Sequence, residues 1–239
     1  MASPGDWYKS LPPVCKFWGT ACVLTTVGIQ LAVLDVRALY LDYPMVFKKF
    51  QIWRLLTNFC FLGGFSFPFV IRVMMIARYG VFLEQHTFEG RTADFVWMVM
   101  LGMLTLLPLP LIIPSLELPF LSASLVFMLV YLWSRENPNA NTSIMGMIQL
   151  KAFYLPWGMM AMTALMGGSV LPDFIGIVAG HLYYFLTVLQ PRAGGPTLIY
   201  TPSWVQALCF HAFGVRQAAY AAPQAPRTFG GGGRRLGAD

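Results

Sequence analysis

The chain has 239 residues, of which 57% belong to the hydrophobic set and only 11% are charged, and its mean hydropathy is +0.61. An ordinary soluble domain has a smaller apolar share and about twice this share of charges, so the composition excludes that class and predicts an integral membrane protein. The formal net charge of +6 does not indicate a nucleic-acid partner, because the basic residues are scattered among the ends of apolar runs and the tail.

The N-terminal stretch MASPGDWYKSLPPVCKFWG lacks the features of a cleavable signal peptide. Asp6, Lys9 and two prolines lead directly into a long apolar run, without a small-residue cleavage site. We therefore predict that the first span stays uncleaved. The cysteines have neither CxxC spacing nor the density of a disulfide scaffold and are predicted to be buried or free thiols. They are Cys15, Cys22, Cys60 and Cys209.

Six apolar runs approach the length of a bilayer crossing and predict an all-α membrane protein with six transmembrane helices. They cover residues 14–34, 65–83, 95–113, 118–133, 153–171 and 174–189. We assign residues 1–192 to this membrane domain and residues 193–239 to a largely disordered cytosolic tail. The last run would rise only about 24 Å at ~1.5 Å per residue, so the bundle is expected to thin the surrounding lipid.

The distribution of basic residues predicts that both termini lie in the cytosol. With six spans the termini share a side, and most of the lysines and arginines outside the spans fall on that side. The NTS glycosylation sequon at Asn141 lies in the loop between the fourth and fifth spans. Arg135 and Lys151 flank this loop, so we expect it to be cytosolic and the sequon to stay unmodified.

The first loop breaks the positive-inside pattern. Its aromatic-rich stretch YPMVFKKFQIWRLLTNF predicts a segment that lies in the membrane interface, where Tyr43 and Trp53 anchor the chain and basic side chains snorkel. The basic residues of this loop are Arg37, Lys48, Lys49 and Arg54.

Two arginines in the second span are costly at bilayer depth unless they face protein, water or the interface. The six-residue spacing of Arg72 and Arg78 puts them on different faces of a helix. We expect one to snorkel toward the cytosolic end, where Glu84 and Glu89 are candidate partners. The other is left to line a polar groove, together with Asp173 and His181.

The sixth span contains a GxxxG pattern at Gly176 and Gly180, which allows two helix backbones to approach closely. We interpret these glycines as packing residues. His181 follows the second glycine, and two roles stay open for it: a hydrogen-bonded core histidine or a functional intramembrane group.

The tail begins where the apolar pattern fails and glycines and prolines accumulate. Within it, SWVQALCFHAF brings Trp204, Val205, Leu208 and Ala212 near one helical face, so a short interfacial or docked helix is one alternative. By composition alone, FGGGGRRLG at residues 229–237 is a flexible glycine-rich end.

Four ordered motifs in this chain resemble the derlin family. They are QIWRLLTNF (51–59), FYLPW (153–157), GGSV (167–170) and GIVAGHLYYFL (176–186). The resemblance extends from GDWYKSLP near the N-terminus to the last residues. It implies a rhomboid-like bundle in the endoplasmic reticulum membrane that has lost protease activity.

Active rhomboid proteases, which the chain resembles more distantly, pair a serine in GxSG on the fourth span with a histidine in AHxxGxxxG on the sixth. The glycines match at Gly176 and Gly180, but Asp173 stands at the histidine position. The fourth span has FLSASL instead of GxSG, with Ser122 near the nucleophile position. Asp173 is a weak base for activating a serine, so we predict a pseudoprotease with no catalytic residues, cofactor or metal.

The resemblance also assigns roles to the first loop and the tail. Trp53 and Arg54 match a Trp–Arg pair that derlins and rhomboids share, and the family role is to shape a lateral opening and disturb lipid. The other interpretation is an interfacial anchor beside a hydrogen-bonding guanidinium. In the tail, residues 229–237 fit FxGxGxxLG, with which derlins bind the valosin-containing AAA ATPase. The matching residues are Phe229, Gly231, Gly233, Leu236 and Gly237.

The function implied by the resemblance is endoplasmic-reticulum-associated degradation, in which the protein helps retrotranslocate misfolded proteins to the cytosol. The implied partners are a membrane ubiquitin ligase, the AAA ATPase, misfolded substrates and the lipid bilayer, and homo- or hetero-oligomers stay open. One alternative is an active intramembrane serine protease that uses Ser122 with His181. The other is a small-molecule transporter or channel, although no internal repeat is visible.

Overall fold

The computed structural model describes residues 3–113, 118–144, 146, 148–196 and 198–214. These residues are mostly helical, apart from a short hairpin of strands β1 (Asn141–Ile144) and β2 (Ile148–Lys151). The helices are α1 (Pro4–Ser10), α2 (Pro13–Gln30), α3 (Val36–Leu39), α4 (Tyr43–Lys49), α5 (Arg54–Thr57), α6 (Phe67–Met75), α7 (Thr92–Leu106), α8 (Leu109–Ile112), α9 (Ser122–Glu136), α10 (Leu155–Leu165), α11 (Leu171–Tyr184), α12 (Gln190–Arg192) and α13 (Ser203–Phe213).

Helix α1 begins with a capping box. The Ser3 hydroxyl accepts a hydrogen bond from the Asp6 amide at 3.2 Å, and the Asp6 carboxylate accepts one from the Ser3 amide at 3.3 Å. Two free backbone donors of the first turn are thereby satisfied. Helix α2 follows directly, with Pro13 in its first turn, where the missing amide proton is not needed.

The first loop is built from α3, α4 and α5. Aspartates cap the first two of these helices: Asp35 accepts from the Arg37 amide, and Asp42 accepts from the Met45 amide. The Leu41 amide donates to the Pro119 carbonyl at 2.9 Å. The loop is therefore tied to the segment that leads into α9.

Helix α9 lies at the centre of the molecule. Every residue from Ser122 to Ser134 is buried, which marks a helix enclosed on all sides. Helices α6, α7, α10 and α11 all contact it, and α11 contacts it most extensively. The helical path of α6 continues through π-helical turns at Ile76–Gly80 and Leu83–Thr87.

Helix α10 is short, with only 11 residues, or about 16 Å at ~1.5 Å per residue. It ends because Gly167 adopts a left-handed conformation with φ of 73° and the Gly168 amide donates back to the Thr163 carbonyl, as at many helix C-termini. The fifth apolar run, predicted to continue to residue 171, therefore stops earlier as a helix.

The sixth helical segment corrects the predicted short span at 174–189. Helix α11 continues through a π-helical turn at Phe185–Leu189 into α12, so the whole segment Leu171–Arg192 has 22 residues. It rises about 33 Å. Pro172 lies in its first turn, where proline is tolerated, so the helix begins before the position predicted.

Among the residues that the structure describes, two helical segments are long and apolar enough to cross a membrane by length and composition: Thr92–Ile112 and Leu171–Arg192. Residues 114–117, which contain the predicted second loop, lie outside the described residues. The ATPase-binding motif at 229–237 also lies outside them.

The predicted tail helix is present as α13, but a different face is docked. Val205 and Cys209 are buried against Ala93 of α7, while the Trp204 side chain is 53% exposed and that of Leu208 is 51% exposed. The helix thus presents apolar side chains on its outer face as well.

Candidate functional site

The Ser122 hydroxyl is committed to a backbone acceptor. Ser122 begins α9 and is buried, and its hydroxyl donates to the carbonyl oxygen of Phe61, in the segment that follows the first loop. A serine nucleophile needs a base within hydrogen-bond reach. The Ser122 hydroxyl instead donates to the Phe61 carbonyl, and this hydrogen bond ties the start of α9 to the segment after the first loop.

His181 is committed to a different partner. Its Nδ1 lies 2.6 Å from the Tyr131 hydroxyl. Tyr131 is nine residues beyond Ser122 on α9, which corresponds to about 13 Å along a helix axis. Ser122 therefore lies at the start of α9, whereas His181 contacts this helix nine residues further along. The two side chains do not form the dyad that an active serine protease would require.

Asp173 occupies the first turn of α11 and is fully buried. Neither carboxylate oxygen meets hydrogen-bond geometry with a described residue, although the Thr163 side chain and the Arg72 charge interact with it. Arg72 Nη1 donates to the Leu62 carbonyl at 2.8 Å. Because isolated buried charges are costly, Arg72 and Asp173 are expected to compensate one another.

Gly176 and Gly180 lie against α9. A methyl group at Gly176 would overlap the Ser124 carbonyl oxygen, and one at Gly180 would lie 2.9 Å from Tyr131 Cδ1. Only glycine allows the two backbones this approach. The structure thus gives this pair a packing position.

The proposed groove residues have separate partners. Arg78 Nη2 lies 3.5 Å from the Thr142 hydroxyl in β1, whereas His181 bonds to Tyr131. Within the described residues, no hydrogen bond or ion pair joins any two of the four predicted groove residues, and Arg72 and Asp173 influence one another only through their charges. A single continuous groove through all four remains a prediction.

Glu84 differs from the prediction that it pairs with an arginine. Its carboxylate accepts hydrogen bonds from the amides of Val14 and Cys15 at 2.9 and 2.8 Å. Glu84 thus caps α2 from the far end of the α6 helical path. A negative charge is favourable there, because the N-terminus of a helix carries a partial positive charge. The contact joins residues 70 positions apart, and no local sequence signal identifies it.

Arg54 organises the first loop from within. It is only 6% exposed, and its guanidinium donates to the Gln51 side chain and to the carbonyls of Arg37 and Tyr40 at 2.7, 2.7 and 2.9 Å. The Tyr40 hydroxyl donates to Asp42, and this hydrogen bond to a carboxylate raises the pKa of Tyr40. Arg54 therefore fixes the path of the loop.

Trp53, by contrast, points outward and is 52% exposed. It belongs to a set of exposed apolar side chains that we call the first-loop patch. The patch consists of Phe47, Phe50, Ile52, Trp53 and Leu56. Lys48 and Lys49 lie at the end of α4 beside it. Exposed apolar surface flanked by cations is typical of a segment that enters a lipid interface.

A half-open cavity of about 680 Å³ lies near the ends of α7, α9 and α11. Its lining includes Arg91, Asp94 and Tyr183, and the segment before α13 closes one side. The Thr201 hydroxyl donates to Asp94 at 2.6 Å, which holds that segment in place. Among the described ranges, no group of three or more His, Cys, Asp or Glu side chains could hold a metal ion.

Comparisons with known proteins agree on one family. Residues 11–203 match the model of the Der1-like family. The chain is 57% identical to Derlin-1 of Arabidopsis thaliana over 205 residues, which cover 86% of this chain and 77% of that protein. It is 50% identical to Derlin-1 of Oryza sativa subsp. japonica over 232 residues, or 97% of this chain and 96% of that protein.

Proposed function

Because the chain belongs to the Der1-like family, we propose that it is a catalytically inactive rhomboid-like protein of the endoplasmic reticulum membrane. Its role would be to help misfolded proteins return to the cytosol for degradation. The observation that carries the proposal is the separation of the candidate catalytic groups. The Ser122 hydroxyl bonds to Phe61 and the His181 ring to Tyr131, while Asp173 stands where a protease would have its base.

The proposed membrane arrangement has six crossings with both termini in the cytosol. Helices α2, α6, α7, α9, α10 and α11 would form the crossings, with the π-helical turns extending α6 and α11. This arrangement puts the β1–β2 hairpin on the cytosolic side and the first loop on the lumenal side. It is supported by the basic residues near the termini and near the hairpin.

The proposed mechanism is a local reduction of the barrier to polypeptide passage. Helix α10 rises only about 16 Å, against a hydrocarbon core of ~30 Å, and a mismatch of this kind thins the lipid. On the lumenal side, the first-loop patch would insert among the headgroups. Arg72, which is partly exposed, would offer a polar contact near the same leaflet. A substrate segment would thus cross a thinner and more polar region than the bulk bilayer.

The energy for transport would come from outside the bundle. We propose that residues 229–237 recruit the valosin-containing AAA ATPase and that a membrane ubiquitin ligase joins the complex. The four successive glycines at residues 230–233 suit this role, because glycine-rich sequence can reach a motor while the membrane domain stays in place.

Affinity purification in mild detergent tests the proposal. We expect the ubiquitin ligase and the AAA ATPase to copurify with the full chain, and a misfolded lumenal substrate to persist longer when the protein is depleted. Re-expression of the Ser122→Ala variant should restore degradation as well as the original chain does. Failure of Ser122→Ala to restore degradation, with its thermal unfolding midpoint unchanged, would contradict a non-catalytic role.

A further inference from the structure

The N-terminal helix encloses an apolar groove that the proposed retrotranslocation role does not use. Helix α1 turns back along α2, where the Tyr8 hydroxyl lies 2.7 Å from the Thr20 hydroxyl. The Gln85 side chain donates to the Ser10 carbonyl at 3.2 Å, and Glu84 holds the start of α2. The turn between α1 and α2 is thereby fastened to the end of the α6 helical path.

The resulting space, which we call the N-terminal groove, has a volume of about 310 Å³ and is half open to the outside. Its lining includes Trp7 of α1, Leu11 directly after that helix, and Val73 and Ala77 of the α6 helical path. Gly19 also lines the groove, and a Cβ there would have only Ile76 within 4 Å, at 3.9 Å, so the space beside this glycine is open. The volume is at the lower end of the range for small-molecule sites, roughly 300–1,000 Å³.

One cation lies at the groove. Lys16 lines it only three residues into α2, about 5 Å below the start of that helix. Its Nζ lies 4.6 Å from the centre of the Tyr8 ring. In the part of the chain that the structure describes, no carboxylate lies within ion-pair distance of Lys16. The ammonium group is therefore held in position by an aromatic face and keeps donors for an anion.

We propose that the N-terminal groove binds one acyl chain of an anionic glycerophospholipid, with the lipid phosphate at Lys16. An apolar slot accepts a hydrocarbon chain without burying an unpaired polar group, and a cation at the slot favours an anionic headgroup. The assignment of the lipid to the cytosolic leaflet rests on the proposed orientation. The groove itself does not depend on that orientation.

Photocrosslinking tests the proposal with the full chain in liposomes of phosphatidylcholine and phosphatidylserine. A phosphatidylserine probe with a photoreactive acyl chain should label peptides within residues 7–24 and 73–81. Lys16→Gln should reduce this labelling about fivefold, the factor expected for one basic residue near an anionic surface. Lys48→Gln, an equal charge change in the first loop, should leave it unchanged. Ala77→Phe, which narrows the groove, should reduce labelling by the serine and choline probes alike.

Two results would overturn the proposal. Equal labelling by both probes, unaffected by Lys16→Gln, would mean that bulk lipid merely solvates this face. Crosslinks from the same residues to another polypeptide would mean that a protein covers the groove. Each variant is first checked for an unchanged thermal unfolding midpoint, so that loss of fold is not scored as loss of lipid. Substrate degradation is scored separately, and its failure with labelling intact would contradict the proposed function alone.

Discussion

At the residue scale, Gly176 shows how a single missing methyl group permits a helix contact. Its position against the Ser124 carbonyl leaves no room for a side chain, and a helix backbone cannot move aside as a flexible side chain can. We expect Gly176→Val to lower the free energy of unfolding by about 3 kcal/mol or more, at the upper end of overpacking effects. The thermal unfolding midpoint of the variant in detergent measures this loss of stability.

The matched control is Gly64→Ala, because a Cβ at Gly64 meets nothing within 4 Å. Gly180→Ala should fall between the two, since its closest neighbour is the ring of Tyr131, a side chain that can adjust. Equal midpoints for Gly176→Val and Gly64→Ala would show that the close approach of α9 and α11 does not support the fold.

Ser122 provides a chemical test at the same scale. Its hydroxyl donates to a backbone carbonyl instead of a base, so the oxygen is not activated as a nucleophile. We expect serine-directed fluorophosphonate probes to leave the protein unlabelled while they label an active serine hydrolase added to the same sample. If Ser122 became labelled, and Ser122→Ala abolished both labelling and substrate cleavage, the pseudoprotease interpretation would be wrong.

Glu84 gives a prediction about stability from a long-range contact. In Glu84→Gln, a single amide oxygen replaces the two carboxylate oxygens that accept from Val14 and Cys15, and the favourable charge at the helix N-terminus is lost. We expect the free energy of unfolding to fall by about 1.5–3 kcal/mol, the range for hydrogen bonds to charged groups. Glu89→Gln, an exposed change near the same end, should have little effect. Chemical unfolding of both variants in the same detergent measures the difference between their free energies of unfolding.

At the element scale, the sequence predicted where most helices lie better than where they end. Apolar runs located α9 and α10, because hydrophobic length is a local property. The end of α10 depends on the left-handed backbone at Gly167, and the sequence predicted continuation to residue 171. The extension of α11 past residue 189 was also missed. Pro191 normally ends a helix, but a π-helical turn at Phe185–Leu189 precedes it here.

The β1–β2 hairpin gives a test of topology. Asn141 is exposed and pairs with Lys151 at the open end of the hairpin, so its side chain is accessible to a glycosyltransferase on whichever side it lies. We expect no glycan at Asn141, because the hairpin would face the cytosol. Electrophoretic mobility before and after endoglycosidase treatment is the measurement, with a lumenal glycoprotein from the same cells as the control. A shift abolished by Asn141→Gln would mean that the orientation is inverted or that a crossing was miscounted.

At the scale of the whole molecule, the sequence motifs identified the family, whereas the contacts between distant segments required the fold. Trp53 and Arg54 were predicted as one motif, but their side chains have different roles. Arg54 is buried and holds the loop, while Trp53 faces outward. Local pattern cannot separate these roles, because the acceptors of Arg54 at Arg37 and Tyr40 lie up to 17 residues away. The same limit applies to Tyr131, whose partner His181 is 50 residues away.

The tail carries the prediction that links the membrane domain to its source of energy. Residues 229–237, FGGGGRRLG, lie outside the described residues and combine two large apolar side chains with glycines and two arginines. Phe229 and Leu236 would serve as apolar anchors, and the glycines would allow the backbone to lie close to the partner. We expect the double variant Phe229→Ala and Leu236→Ala to abolish recruitment of the AAA ATPase in a pull-down, with membrane insertion and thermal unfolding unchanged.

The control carries two substitutions in the same tail but outside the motif, Gln217→Ala and Gln224→Ala, and should bind the ATPase as the original chain does. Because glycine loses more conformational freedom than other residues when it is ordered, we expect moderate and reversible affinity in calorimetry. This suits a motor that must be recruited for each substrate and then released. Unchanged calorimetric binding by the anchor variant would remove the tail as the recruitment site, and the motor would then have to reach the membrane domain through another subunit.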